Sequence, residues 1–121
     1  MPEEDKPKRY DLENRTFAFA QRIRAFVKAL PLTLANTEDI RQVIRSSGSV
    51  GANYIEVNES LSKKDLAMRA KICRKEAKES HYWLRLLDTG KDTVVERERT
   101  SLVQEAHELT CIFGAIVRKV E

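Results

Sequence analysis

The chain has 121 residues, 41% hydrophobic and 34% charged, with only 4 Gly and 3 Pro, a composition that disfavours turn-rich β architecture and disorder and favours charged-surface helices around one lean core. Lys and Arg number 22 against 19 Asp and Glu, for a formal charge of +3, an excess too small to mark a nucleic-acid binder unless the cations cluster. The opening Met1-Pro2-Glu3-Glu4-Asp5-Lys6-Pro7-Lys8-Arg9 is too polar for a secretory signal, and no apolar run approaches the roughly 20 residues that cross a bilayer, so a cytoplasmic chain with no membrane partner is expected.

Residues 1–11 read as a polar N-terminal tail and 12–121 as one domain. Leu12, Thr16, Phe19, Ile23, Phe26 and Leu30 step by four and three, the spacing that keeps one stripe of a helix facing a partner, with Asp11 placed as its N-cap. Pro31 and Asn36 bound a short loop, and Glu38 and Asp39 supply an acidic first turn for a second helix. That helix runs through Ile40, Val43, Ile44, Val50, Tyr54 and Val57 to Leu61.

Its middle, Ser46-Ser47-Gly48-Ser49-Val50-Gly51-Ala52, admits two readings. Each interior Gly costs a helix about 1 kcal/mol relative to Ala, so the run could be a loop between two shorter helices. The reading adopted is a continuous helix whose small faces let a second backbone approach closely. A phosphate-binding loop is set aside, because no strand precedes the run and no Gly-Lys-Ser/Thr follows it.

Ser62 and Asp65 resemble a capping box that opens a third helix. Leu66, Ala70, Cys73, Ala77, Ser80, Leu84 and Leu87 carry its core repeat to an end expected near Thr89-Gly90. Val95, Arg99, Leu102, Ala106, Leu109, Phe113, Ile116 and Val120 do the same for a fourth. Four such helices on short connections predict an all-α, up-down-up-down four-helix bundle. Cys73 and Cys111 fit neither a zinc spacing nor a disulfide scaffold and read as packed, reduced thiols.

The carboxylates do not form a metal centre of the di-iron kind. His81 follows Lys78 and His107 follows Gln104 by three residues, so neither completes the required Glu-x-x-His pair. Glu56-x-x-Glu59, Glu76-x-x-Glu79 and Glu105-x-x-Glu108 are weak ligands for hard cations without a defined cage. No catalytic, cofactor-binding or metal-ligating residue is therefore assigned. Asn53, Glu56, Glu76 and Glu79 are instead expected to be structural polar groups with partners inside the bundle or at an interface, Arg45 among them.

Two further faces of the third helix bear on function. Met68, Ile72, Glu76, Glu79, Trp83 and Leu86 form a second, half-apolar stripe, which either widens the core face or marks a subunit contact. The contact reading names Ile72, Tyr82, Trp83 and Leu86. Lys64, Lys71, Lys78 and Arg85 recur every seven positions, with Arg74 and Lys75 alongside. Such a stripe is either a solvated face or a phosphate-binding one, and for the latter the candidates are Lys64, Lys71, Lys75, Lys78 and Arg85.

Three segments resemble a known family, the bacterial four-helix-bundle proteins named for genes within intervening sequences of 23S ribosomal RNA. They are Arg45 to Asn53 followed by Glu56, Ser62-Lys63-Lys64-Asp65-Leu66, and Glu76 to Leu84, and the similarity runs from Tyr10 onward. Val57 and Ser60 stand where the family more often has alanine, and Leu66 where it has phenylalanine. The resemblance implies a homopentameric ring of bundles with an axial channel and no established enzyme activity. A similar pentameric bundle serves diversity-generating retroelements beside nucleic acid and a reverse transcriptase. The expectation is thus a non-enzymatic, cyclic homo-oligomeric scaffold that engages nucleic-acid backbone. A protein-interaction hub without nucleic acid is the alternative, and a carboxylate metalloenzyme the remote one.

Overall fold

The computed structural model describes residues 11–121, so that residues 1–10 of the expected tail lie outside the described residues. Four helices follow in chain order, α1 (Leu12–Val27), α2 (Leu34–Asn58), α3 (Lys63–Leu86) and α4 (Thr93–Val120). Consecutive helices pack side by side and α1 returns more loosely to α4, while diagonal pairs do not meet. Cross-helix contacts give the direction of each pair. Arg15 reaches Glu105 while Arg22 reaches Glu98, and Ser46 meets Ser80 while Asn53 meets Arg69. Both registers run antiparallel, as does that of α1 with α2, where Gly48 faces Arg24 and Gly51 faces Thr16, and together they make the bundle up-down-up-down.

The core stripes follow the sequence periodicity. Leu12, Thr16, Phe19, Ile23, Phe26 and Leu30 are all buried, as are Ala70, Cys73, Ala77, Ser80, Leu84 and Leu87. On α4 the buried set is Leu102, Ala106, Leu109, Phe113, Gly114 and Val117. Ile116 and Val120 are only half-buried, because a helix of 3.6 residues per turn drifts off a strict heptad and brings Val117 inward. Cys111 stands off this stripe and is exposed, unlike Cys73. The expectation of two packed thiols therefore holds for Cys73 alone.

Helix α2 is continuous through its small residues. Ser46 and Ser47 are buried, and the Ser46 and Ser80 hydroxyls meet at 2.8 Å on the α2–α3 seam. Against α1 a second close approach falls at Gly51. A Cβ built on Gly51 would lie 3.1 Å from Thr16 Oγ1 and 3.4 Å from Thr16 Cβ. Thr16 cannot easily yield, since its hydroxyl donates to the Leu12 carbonyl at 2.8 Å.

Four helix ends differ from the sequence reading, one being that of α2, which stops at Asn58 and leaves Leu61 98% exposed. Asp11 precedes α1 but makes no capping bond, because its backbone (φ −95, ψ −1) is already helical rather than extended. Helix α2 begins at Leu34, not at Glu38, since Thr33 caps it by accepting from Asn36 N at 3.0 Å. Helix α3 stops at Leu86, short of Thr89-Gly90, because tertiary partners take the backbone there. Arg99 Nη1 donates to the carbonyls of Arg85 and Leu87, at 3.2 and 2.6 Å, and so caps the C-terminus of α3. Glu96 holds Arg99 in place at 2.6 and 2.8 Å, which explains an arginine in an otherwise apolar repeat.

Candidate nucleic-acid interface

Helix α3 carries eight cations against three carboxylates, a larger excess than the +3 of the whole chain. Its outward residues Lys71, Lys75, Lys78, Tyr82 and Arg85 follow one another by four and three, so they form a single stripe opposite the buried one. Lys71, Arg74, Lys75 and Lys78 line an open cleft of about 510 Å³ together with Glu79, Tyr82 and Trp83. Lys71 pairs with Glu121 at 2.6 Å. Arg74, Lys75 and Lys78 enter no ion pair among the described residues.

Of the five cations expected to bind phosphate, the structure brings Lys71, Lys75 and Lys78 together in this cleft. Lys64 lies in an adjoining hollow of about 660 Å³ between the start of α3 and the end of α4, which Lys71 shares. Arg85 lies in neither, and its charge acts on His81, whose ring is held neutral to lower pH first by burial and then by Arg85 and His107. Arg74 is the cation that sequence ranking passed over. Its Cδ would sit 3.7 Å from a Cβ built on Gly114, so its stem lies along α4, a placement that the α3 repeat does not reveal.

The residues expected at a subunit contact divide. Ile72 and Trp83 are half-buried, and Trp83 packs against the bundle's own core. Tyr82 is 54% exposed and Leu86 50%. The Tyr82 and Trp83 rings meet edge to face with centroids 5.0 Å apart. Sequence reasoning missed the other open apolar surface, a groove of about 860 Å³ between α1 and α2 that Phe17 and Ile55 rim and Gly48, Gly51 and Ala52 floor. Phe17 is 63% exposed, yet it falls outside the α1 core repeat and gave no periodic signal.

The polar residues are organised by arginines. Arg45 on α2 donates to Glu76 at 3.1 Å and to Glu79 at 3.2 Å. Arg15 on α1 does the same for Glu105 and Glu108, at 2.7 to 2.8 Å. Two of the three Glu-x-x-Glu pairs, Glu76/Glu79 and Glu105/Glu108, thus present two carboxylates on one helix face to a guanidinium from a neighbouring helix. Asn53 donates to the Ser49 carbonyl and hydroxyl, both at 2.9 Å, and accepts from Arg69. Glu56 differs from its expected role, for it is exposed and its carboxylate makes no bond among the described residues. It lies on the solvent side of α2, beyond the reach of Arg45.

Among the described residues no group of three or more His, Cys, Asp or Glu is arranged to hold a metal ion, and no helix is long and apolar enough to cross a membrane. A search of curated proteins finds no match. A crystal structure described as a protein of unknown function from the S23 ribosomal protein family of Bacteroides thetaiotaomicron VPI-5482 is similar, with 27% identity and a TM-score of 0.72 over 87% of this chain and 96% of that one. The profile of the 23S rRNA-intervening sequence proteins matches residues 8–114. With a match over most of its length, the chain belongs to the 23S rRNA-intervening sequence protein family.

Proposed function

We propose that the protein is a non-enzymatic scaffold that assembles from identical subunits and engages nucleic-acid backbone through the outer face of α3. The observation that carries this reading is the gathering of Lys71, Arg74, Lys75 and Lys78 around one solvent-open cleft. Neighbours three and four apart on a helix repel when they carry like charge, and Lys71–Arg74, Lys71–Lys75, Arg74–Lys78 and Lys75–Lys78 are all such pairs. Phosphates relieve that repulsion and release counterions. A ring of subunits multiplies the effect.

Assembly is supported by two different apolar surfaces on one subunit. One is the flank of α3 with Met68, Ile72, Trp83 and Leu86, and the other is the α1–α2 groove with Phe17 and Ile55. A closed ring needs a head-to-tail contact between unlike faces. The number five follows the family resemblance alone, and a location in the cytoplasm is part of the same proposal.

The test has two arms. Retention on heparin and structured RNA should fall steeply with salt, and joint reversal of Lys71 and Lys78 to Glu should weaken binding to all sequences alike and flatten the salt dependence. Light scattering at micromolar concentration should give five times the monomer mass, and Phe17→Ser with Ile55→Ser should yield smaller species. No retention at low salt removes the nucleic-acid reading and leaves the protein-interaction hub, which the α1–α2 groove favours. A monomer mass removes the ring.

A further inference from the structure

We infer that the ligand of the cationic face is single-stranded nucleic acid, with an unpaired base stacked on Tyr82 while Arg74, Lys75 and Lys78 hold the flanking phosphates. The inference rests on the nucleic-acid reading above and narrows it to one substrate class. Its basis is a placement that only the folded chain shows. Tyr82 was grouped by sequence with Trp83 and Leu86 as a contact residue, yet it lies on the midline of the outward stripe, four residues past Lys78 and seven past Lys75. Long helical side chains lean toward the N-terminus, so its ring covers the turn that holds Lys78.

The ring is both braced and open. Trp83, anchored against the core, meets it edge to face at 5.0 Å. An aromatic ring has two faces and this contact occupies at most one. Tyr82 remains 54% exposed, and its hydroxyl makes no hydrogen bond among the described residues. Single exposed apolar residues are ordinary. What distinguishes Tyr82 is its position among cations that have no carboxylate partner, since Glu79, the acid in the cleft, is engaged by Arg45 at 3.2 Å.

Duplex geometry does not use such an arrangement. In a duplex the bases are stacked on one another, and a helix laid along the backbone meets phosphates and sugars, where a tyrosine face adds nothing. An unpaired base offers its π-face, and aromatic side chains amid a basic groove are the usual platform for single strands. A cleft of about 510 Å³ has room for a nucleotide.

The experiment uses the full chain with two probes, a fluorescein-labelled oligouridylate of about 12 nucleotides and a blunt RNA duplex of similar length, followed by anisotropy at low salt. The wild type should bind the single strand more tightly than the duplex. Tyr82→Ala should weaken single-strand binding by about 5- to 150-fold and leave duplex binding unchanged, while Tyr82→Phe should retain it. Trp83 is the sole tryptophan, so its emission should change on adding oligouridylate and remain steady on adding duplex. Equal loss for both probes, or none for either, in Tyr82→Ala overturns the stacking role while the cationic-face reading stands. A smaller assembly mass for Tyr82→Ala makes the residue a subunit contact and also overturns it. Failure of the wild type to bind either probe removes both readings.

Discussion

Asn36 and Asp88, 52 residues apart, exchange two hydrogen bonds of 2.9 Å, Asn36 Nδ2 donating to the Asp88 carbonyl and Asp88 N donating to Asn36 Oδ1. The same amide nitrogen donates to the Pro31 carbonyl at 2.9 Å. Asn36 is only 1% exposed, so one buried side chain joins the α1–α2 loop to the α3–α4 loop with its amide donors and acceptor in use. Asn36→Ala leaves the Asp88 N–H and carbonyl without partners, while the Pro31 carbonyl keeps Thr33 N at 3.1 Å, and should cost about 2–3 kcal/mol. Urea unfolding measures it, and a loss under about 1 kcal/mol would mean that water replaces the amide.

The two glycines of α2 should respond in opposite directions. At Gly48 the nearest neighbour of an added Cβ is the flexible end of Arg24 at 3.4 Å, so Gly48→Ala should gain about 0.5–1 kcal/mol from helix propensity. At Gly51 an added Cβ would lie 3.1 Å from Thr16 Oγ1, a buried hydroxyl already hydrogen-bonded to the Leu12 carbonyl. Gly51→Leu should lose about 1–3 kcal/mol through overpacking. Thermal melts of both variants provide the comparison, and equal shifts would refute the close α1–α2 approach.

The arginine bridges differ in worth because their burial differs. Arg22 and Glu98 are both substantially exposed, and Arg22→Ala should cost no more than about 1 kcal/mol. Arg45→Ala strips the ion partner from Glu76, whose side chain is 11% exposed. That loss should reach about 1–3 kcal/mol. A double-mutant cycle of Arg45 with Glu76 should show coupling that the Arg22–Glu98 cycle lacks.

Thiol chemistry separates the cysteines. Burial pushes the Cys73 thiol up to about 12, and its Sγ contacts the Val50 carbonyl at 3.5 Å, so it carries almost no thiolate at neutral pH. Cys111 is exposed. A disulfide reagent should titrate one thiol per native chain and two after unfolding, and Cys111→Ser should abolish the native reaction.

Acid should weaken the fold through His81. Its pKa lies below the ordinary 6.5, chiefly from burial with help from Arg85 and His107, so below that value the unfolded chain binds the proton more readily than the folded one. Stability is complete above about pH 6.5 and declines as the pH falls beneath it. Urea midpoints near pH 7.5 and pH 5.5 should differ in that sense, and less so in His81→Gln.

How far the sequence reached depends on whether a feature is local. The apolar repeats and the Ser62 cap (Asp65 N to Ser62 Oγ, 3.1 Å) were legible in the chain, because they depend on periodicity and on side chains a few positions apart. The small-residue run of α2 admits two readings in sequence and is continuous in the structure, where Gly51 meets Thr16 of α1. The early end of α3, the orientation of Arg74 along α4 and the division of Tyr82 from Trp83 were decided by tertiary structure, whereas the start of α2 rests on the local Thr33 cap. Each of those three depends on a group brought from another helix: Arg99 on the Leu87 carbonyl, Gly114 beside Arg74, the core against Trp83. A helix end is set by whichever partner satisfies its last carbonyls, and a residue's face by what packs beside it. Neither is encoded within the segment itself.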